Sequence, residues 1–143
     1  MLRLTRRFEY GLMALAALAG RPDERVSVRE LGEELSVPRR LLAEVLKDLA
    51  RAEVVESARG PQGGYRLAVA PDELTLGRVL AALEGGPVRV AGCSDAGGCE
   101  HLPHCGIQSG VQRVAERIHD VLERSTLAEL IAPPAATAPP LSV

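Results

Sequence analysis

Ser36-Val37-Pro38 interrupts two helical patterns, and this three-residue break constrains the fold more than any other feature of the chain. Upstream, Ser27 and Glu30 form a Ser-x-x-Glu capping box, and Val28, Leu31 and Leu35 recur on one side of a short helix over 28–35. Downstream, Pro38 suits the first turn of a helix over 38–52, with Leu42, Val45, Leu46 and Leu49 facing inward and Arg39, Arg40 and Lys47 on other faces. Two short helices joined so tightly form a helix-turn-helix. Residues 54–59 and 65–69 then read as strands around Gly60-Pro61-Gln62-Gly63-Gly64. A hairpin directly behind a helix-turn-helix is a wing.

The flanking segments fit this frame. Thr5 can cap a first helix over 6–19, with Phe8, Leu12, Leu15 and Ala19 at helical spacing and Gly20 at its end. Arg3, Arg6 and Arg7 ahead of the apolar run 11–19 imitate a secretory signal. Glu9 lies between the arginines and that run, and the spacing is amphipathic, so the expectation is a cytoplasmic first helix. Thr75 introduces a helix over 75–84 carrying Leu76, Val79, Leu80 and Leu83, ended by Gly85-Gly86-Pro87. Residues 91–106 are irregular and glycine-rich. Beyond them Ile107, Val111, Val114, Ile118 and Val121 are spaced 4, 3, 4 and 3, the seam of a helix that packs along a partner helix. Packing on its own domain is the other reading of so short a seam. Thr126 and Glu129 repeat the capping box, and the Pro/Ala stretch 132–143 cannot form a helix and reads as a disordered tail.

The expected fold class is thus mainly α with a small β-hairpin wing: a winged helix-turn-helix with a long C-terminal dimerisation helix. The expected division is a DNA-binding domain over 1–70, a connecting helix over 71–90, a cysteine loop over 91–106, a dimerisation helix and final turn over 107–131, and the tail over 132–143.

Composition narrows the function. Aromatic residues are 2% of the chain, which removes stacking platforms for single-stranded nucleic acid. No apolar run approaches the roughly 20 residues of a membrane span. No Ser/His/Asp arrangement, phosphate-cradling loop or carboxylate pair points to an enzyme. The net charge is −2, but residues 1–66 carry 12 basic against 10 acidic side chains and residues 67–143 carry 5 against 9. This weak asymmetry fits a nucleic-acid contact confined to the front half. In a winged helix the second helix of the pair enters the major groove, and its first residues face base edges. Here these are Arg39 and Arg40, which can pair with guanine or phosphate; solvated arginines are the bland reading. Arg59, at the wing, suits a narrow A·T-rich minor groove, and the glycines after it would let backbone approach DNA. Tyr65 is expected to pack under the wing.

Cys93, Cys99 and Cys105 are the three cysteines of the chain, spaced Cys-x5-Cys-x5-Cys. An odd number in one short loop is a poor disulfide framework and reads better as a metal or cluster site. Zinc knuckles use tighter pairs, about two to four residues apart, whereas a wide glycine-rich loop can wrap one face of a cluster. Three thiols without a metal, and a small zinc-binding interaction module using the seam helix, are the alternatives.

The residues Leu4-Thr5, Glu9-Tyr10-Gly11-Leu12, the wing motif 54–67, Leu76-Gly77-Arg78-Val79-Leu80, the cysteine spacing and 125–130 together resemble the Rrf-two family of bacterial winged-helix regulators, over about residues 1–131. That family includes iron–sulfur cluster regulators and nitric-oxide-sensing repressors. The resemblance implies a homodimer crossed by the long helix and bound to double-stranded DNA at a palindromic operator. It also implies a two- or four-iron cluster held by Cys93, Cys99 and Cys105. In one cluster-binding branch a histidine three residues after the third cysteine completes the site; Gln108 stands there in this chain. In another branch an acidic residue from the partner's first helix serves, and Glu9 occupies that position. His101 and His104 lie in the loop and are the nearer substitutes. The function so implied is a repressor whose operator binding responds to nitric oxide, redox or iron–sulfur status.

Overall fold

A computed structural model of the chain describes residues 4–86, 99 and 101–133. Helix α1 spans Arg6–Ala19, α2 Val28–Leu35, α3 Arg39–Arg51, α4 Leu76–Glu84, α5 Gln108–Arg124 and α6 Leu127–Ile131; strands β1 (Val55–Ala58) and β2 (Gly64–Leu67) lie between α3 and α4. Polar side chains open four of the helices. Thr5, Ser27, Thr75 and Thr126 each accept the backbone N–H three residues on, satisfying a donor that has no partner within its helix. At Thr126 the capping box is complete, with Glu129 reaching back to the Thr126 N–H. At Ser27 only half forms: Ser27 accepts from Glu30, but the Glu30 carboxylate turns away to Arg21 at 2.9 Å.

One core holds these elements together. Leu42, Val45, Leu46 and Leu49, the inward face of α3, are all fully buried, and they meet Phe8, Ala14, Leu15 and Leu18 of α1 and Val79 and Leu83 of α4. On α1 the buried side differs from the expected stripe. Gly11, Ala14 and Leu18 are buried with Phe8 and Leu15, while Leu12 and Ala19 are half-buried. Residues 11–19 are small or apolar on every side, so spacing alone could not select the face. Gly11 is where α4 comes close: a Cβ there would lie 2.4 Å from Leu83 Cδ1.

The sheet is an antiparallel hairpin in the register Val55↔Leu67, Glu56↔Arg66, Ser57↔Tyr65 and Ala58↔Gly64. A third backbone segment joins it. Val26 exchanges both hydrogen bonds with Tyr65, at 2.9 and 2.8 Å, so the approach to α2 is itself pinned to the wing. The C-terminal part is stitched back in the same way: Leu76 donates to Ser125 and Leu127 to Leu74, both at 2.8 Å, and Leu127 is fully buried in the common core. Helix α5 is therefore rooted on α4 at its C-terminal end.

Candidate nucleic-acid interface and cysteine loop

The turn between α2 and α3 is built by Ser36, which ends α2 in the left-handed region at φ 54°, and by Val37, buried, whose N–H reaches back to Gly32. Gly32 is buried at the crossing, where a Cβ would meet Arg39 Cγ at 3.0 Å and the Val37 carbonyl at 3.3 Å. The stem of Arg39 thus lies over α2 while its residue remains exposed. Helix α3 begins at Arg39 rather than at the expected Pro38, because Pro38 sits at φ −57° and ψ 121° as the preceding cap and its carbonyl accepts from Leu42. The Arg40 side chain is 95% exposed and only 3.8 Å from Glu44 at its nearest, a loose surface pair. Arg7 ties α1 to the outer side of α3 through Asp48 at 2.5 Å, which Arg51 also reaches at 3.1 Å.

Arg59 sits exposed at the start of the wing turn and, like Arg39, enters no ion pair among the described residues. The glycines behind it serve the turn itself. Gly60 takes φ 104° with open space around it, and its carbonyl accepts from Gly63. A Cβ on Gly63 would strike the Ala58 carbonyl at 2.4 Å, and one on Gly64, at φ 141°, would strike the Val26 carbonyl at 2.6 Å. Two of the three glycines are thus fixed by internal backbone packing. The wing also carries a charge cluster that sequence reading missed. Glu56 accepts from its cross-strand neighbour Arg66 at 2.8 Å and from Arg25 at 3.4 Å. The Arg66 hydrogen bond and charge hold the Glu56 carboxyl below its ordinary range. The direct pairing of Glu56 and Arg66 was readable once the turn length was set, since opposite charges favour facing positions. Tyr65 is half-buried against the core, as expected.

Around the cysteines, Leu102–His104 form one 3-10 turn, closed by the His104 N–H on the His101 carbonyl at 3.0 Å. Cys99 and Cys105 are free, half-buried thiols; Cys93 lies outside the described residues. His101 and His104 are exposed. Among the described residues no three His, Cys, Asp or Glu side chains converge as a metal site would require. The donor chemistry nevertheless suits a soft metal or an iron–sulfur cluster, because two unpaired thiols flank one short turn. Glu9 lies half-buried on the first turn of α1, where among the described residues it pairs with Arg6 at 3.4 Å, and Arg6 is largely exposed. Helix α5 leaves its seam open. It has no fully buried residue, and Ile107, Val114 and Val121, each seven residues apart, are 69%, 46% and 62% exposed, while Val111 and Ile118 are half-buried. No described helix is long and apolar enough to cross a membrane.

Known proteins share this architecture. A CymR structure, described as the global cysteine regulator of B. subtilis, is 28% identical, covers 92% of this chain and 97% of its own, and superposes with a TM-score of 0.70. T. potens IscR is 27% identical over 91% of this chain and 86% of its own, with a TM-score of 0.71. A Listeria innocua structure described as a transcriptional regulator gives 27% identity, 99% and 92% coverage and a TM-score of 0.76. A Synechocystis protein named as an HTH-type transcriptional regulator, slr0846, is 43% identical over 84 residues, 58% of this chain. The match spans 57% of that curated relative's length. These relatives are regulators of transcription rather than enzymes. The profile of the Rrf2 family, described as an iron-dependent transcriptional regulator, matches residues 4–133, and the chain accordingly belongs to that family of winged-helix transcriptional regulators.

Proposed function

We propose that the protein is a cytoplasmic homodimeric repressor that binds a palindromic operator in double-stranded DNA, and that an iron–sulfur cluster on its cysteine loop controls that binding. One observation carries the DNA reading: Arg39, Arg40 and Arg59 are exposed on the α2–turn–α3 unit and its wing. Arg39 and Arg40 stand at the first turn of the groove-entering helix, within reach of base edges and phosphates. Arg59, at the wing, supplies a minor-groove cation. The open strip Ile107, Val114 and Val121 supports dimerisation through α5, because a heptad seam left exposed in one chain is covered by a second copy.

Cys93, Cys99 and Cys105 would hold the cluster, with Glu9 of the partner subunit as its remaining ligand. The family description, iron-dependent, supports this assignment, as do the free thiols at Cys99 and Cys105. When bound, the cluster supplies iron that reacts with nitric oxide or oxidants. A carboxylate is a harder donor than a thiolate, so Glu9 would hold such a group more loosely than the cysteines would. Glu9 also belongs to α1, which packs on the groove-entering helix, so a change at Glu9 would bear on a contact of the DNA-binding unit. Regulation without a cluster is the second reading, favoured by the likeness to CymR, whose description names cysteine rather than iron.

Anaerobic purification decides between them. A coloured protein whose affinity for a selected operator changes after nitric oxide or oxygen, and whose colour is lost in Cys93→Ala, Cys99→Ala and Cys105→Ala, supports the cluster. A colourless protein that binds the operator equally well favours the second reading, and stoichiometric zinc with no DNA binding would return the protein to the zinc-module alternative. Glu9→Ala with an unchanged spectrum and nitric-oxide response would remove Glu9 from the site.

A further inference from the structure

Helix α4 touches both functional ends of the molecule through neighbouring residues. Toward the arm, the Glu123 side chain of α5 lies directly over Gly77: a Cβ at position 77 would sit 2.4 Å from Glu123 Cδ. Thr75, the cap of α4, donates to Glu123 Oε2 at 3.5 Å, and His119 Nε2 stands 3.9 Å from Oε1. Two residues beyond Glu123, the Ser125 carbonyl takes the Leu76 N–H, so backbone and side chain fix the same root. Toward the DNA, Arg78 donates to the carbonyls of Ala52 and Glu53, at 3.3 and 3.4 Å, just past the C-terminus of α3. Glu53 is a non-glycine residue at φ 57°, a conformation that needs support from its surroundings. A guanidinium on carbonyls left over at a helix end supplies it.

We propose that Glu123 seated over Gly77, and Arg78 on the end of α3, form a brace that fixes the angle between the dimer arm and the groove-entering helix, and thereby sets the half-site spacing the protein accepts. The proposal rests on the dimeric DNA-binding reading above. In such a dimer the two α3 helices can meet the grooves together only at separations allowed by the orientation of each arm on its own domain. Gly77 is central to the device, because any side chain there would displace the carboxylate. The clash is with a flexible tip, so Glu123 can swing away without unfolding the core. Glu123 and Arg78 are positioning residues: neither is placed against DNA.

The test uses the full chain and DNA duplexes that the wild-type protein selects from a random pool, rebuilt with the two half-sites one or two base pairs closer or farther apart. Glu123→Ala, Gly77→Ala and Arg78→Ala are expected to reduce the discrimination between optimal and altered spacing by about three- to tenfold, the range for residues coupling distant sites. Glu123→Gln keeps an acceptor for Thr75 and should retain the wild-type profile. A uniform loss of affinity at every spacing, or an unchanged profile in the three alanine variants, would overturn the brace while leaving the DNA-binding reading intact. A wild-type protein that selects no paired half-sites would overturn both.

Discussion

Gly60 and Gly64 separate two reasons for using glycine in one turn. An alanine at Gly60 meets open space and only the cost of its positive φ, about 1–2 kcal/mol. At Gly64 it also drives a methyl into the Val26 carbonyl, and Gly64→Ala should destabilise the fold by about 2–4 kcal/mol, read as a larger fall in thermal midpoint than for Gly60→Ala. The glycine motif was legible in the sequence, but its cause was not. Val26, the residue that Gly64 must clear, is a single pairing position with no periodicity to reveal it. Glu56 offers a prediction in pH. Its folded carboxyl is held below the ordinary range by Arg66 and then Arg25, so its stabilising contribution is complete above the ordinary carboxylate range and is lost as pH falls through the lowered value. Glu56→Gln should remove that part of the acid dependence of thermal stability, with no change in dependence at neutral pH. Arg59→Ala should weaken binding most at operators with A·T-rich flanks. Arg39→Ala and Arg40→Ala should each cost about 1–3 kcal/mol where a base contact is lost. Titrations against salt sort base contacts from phosphate contacts, since a lost phosphate contact also flattens the salt slope by about 1 for each copy. Affinity unchanged in all three variants would contradict the groove assignment.

Among the elements, α2 and the inward face of α3 were readable almost residue for residue, because each has an explicit cap or break and a stripe bordered by charge. Helix α1 was readable as a helix but not as a face, since its apolar run offers burial in every direction. The joining of 74–76 to 125–127 had no signal at all: one isolated backbone bridge between distant segments, made of two hydrogen bonds, leaves no pattern in composition or spacing. Arg78 and Glu123 shared that fate, as ordinary charged residues whose meaning depends on what the fold places opposite them. Of the cysteines, residue type and spacing were legible in the sequence, and the structure describes Cys99 and Cys105 as half-buried thiols on either side of the 3-10 turn. Helix α5 supplies the element-scale prediction. Val114 is exposed in the single chain, so Val114→Asp should leave the monomer's fold intact while placing a charge in the seam. Gel filtration should then show a monomer with circular dichroism like that of the wild type, and binding to a two-half-site operator should fall at least tenfold, since a monomer engages only one half-site. A persistent dimer would place the interface elsewhere.

At the scale of the whole molecule, one core extends from Phe8 to Leu127 and embraces both ends of the described chain, while the cysteine turn and α5 lie between its last two contributions. The pairing of Leu76 with Ser125 and of Leu127 with Leu74 closes the stretch from α4 to α5 into an excursion whose two ends meet at one place. Polymer physics attaches a specific consequence to such a closed excursion. The entropy lost in closing it grows only with the logarithm of its length, about 0.6 kcal/mol for each doubling. Four Gly/Ser residues inserted after Gly106 should therefore lower unfolding stability by only a few tenths of a kcal/mol in denaturant titration. The same insertion in the turn between α2 and α3 should be far more damaging, because there Val37 is itself core. The length of the segment ahead of α5 should thus be able to drift at little cost to the stability of the winged-helix body.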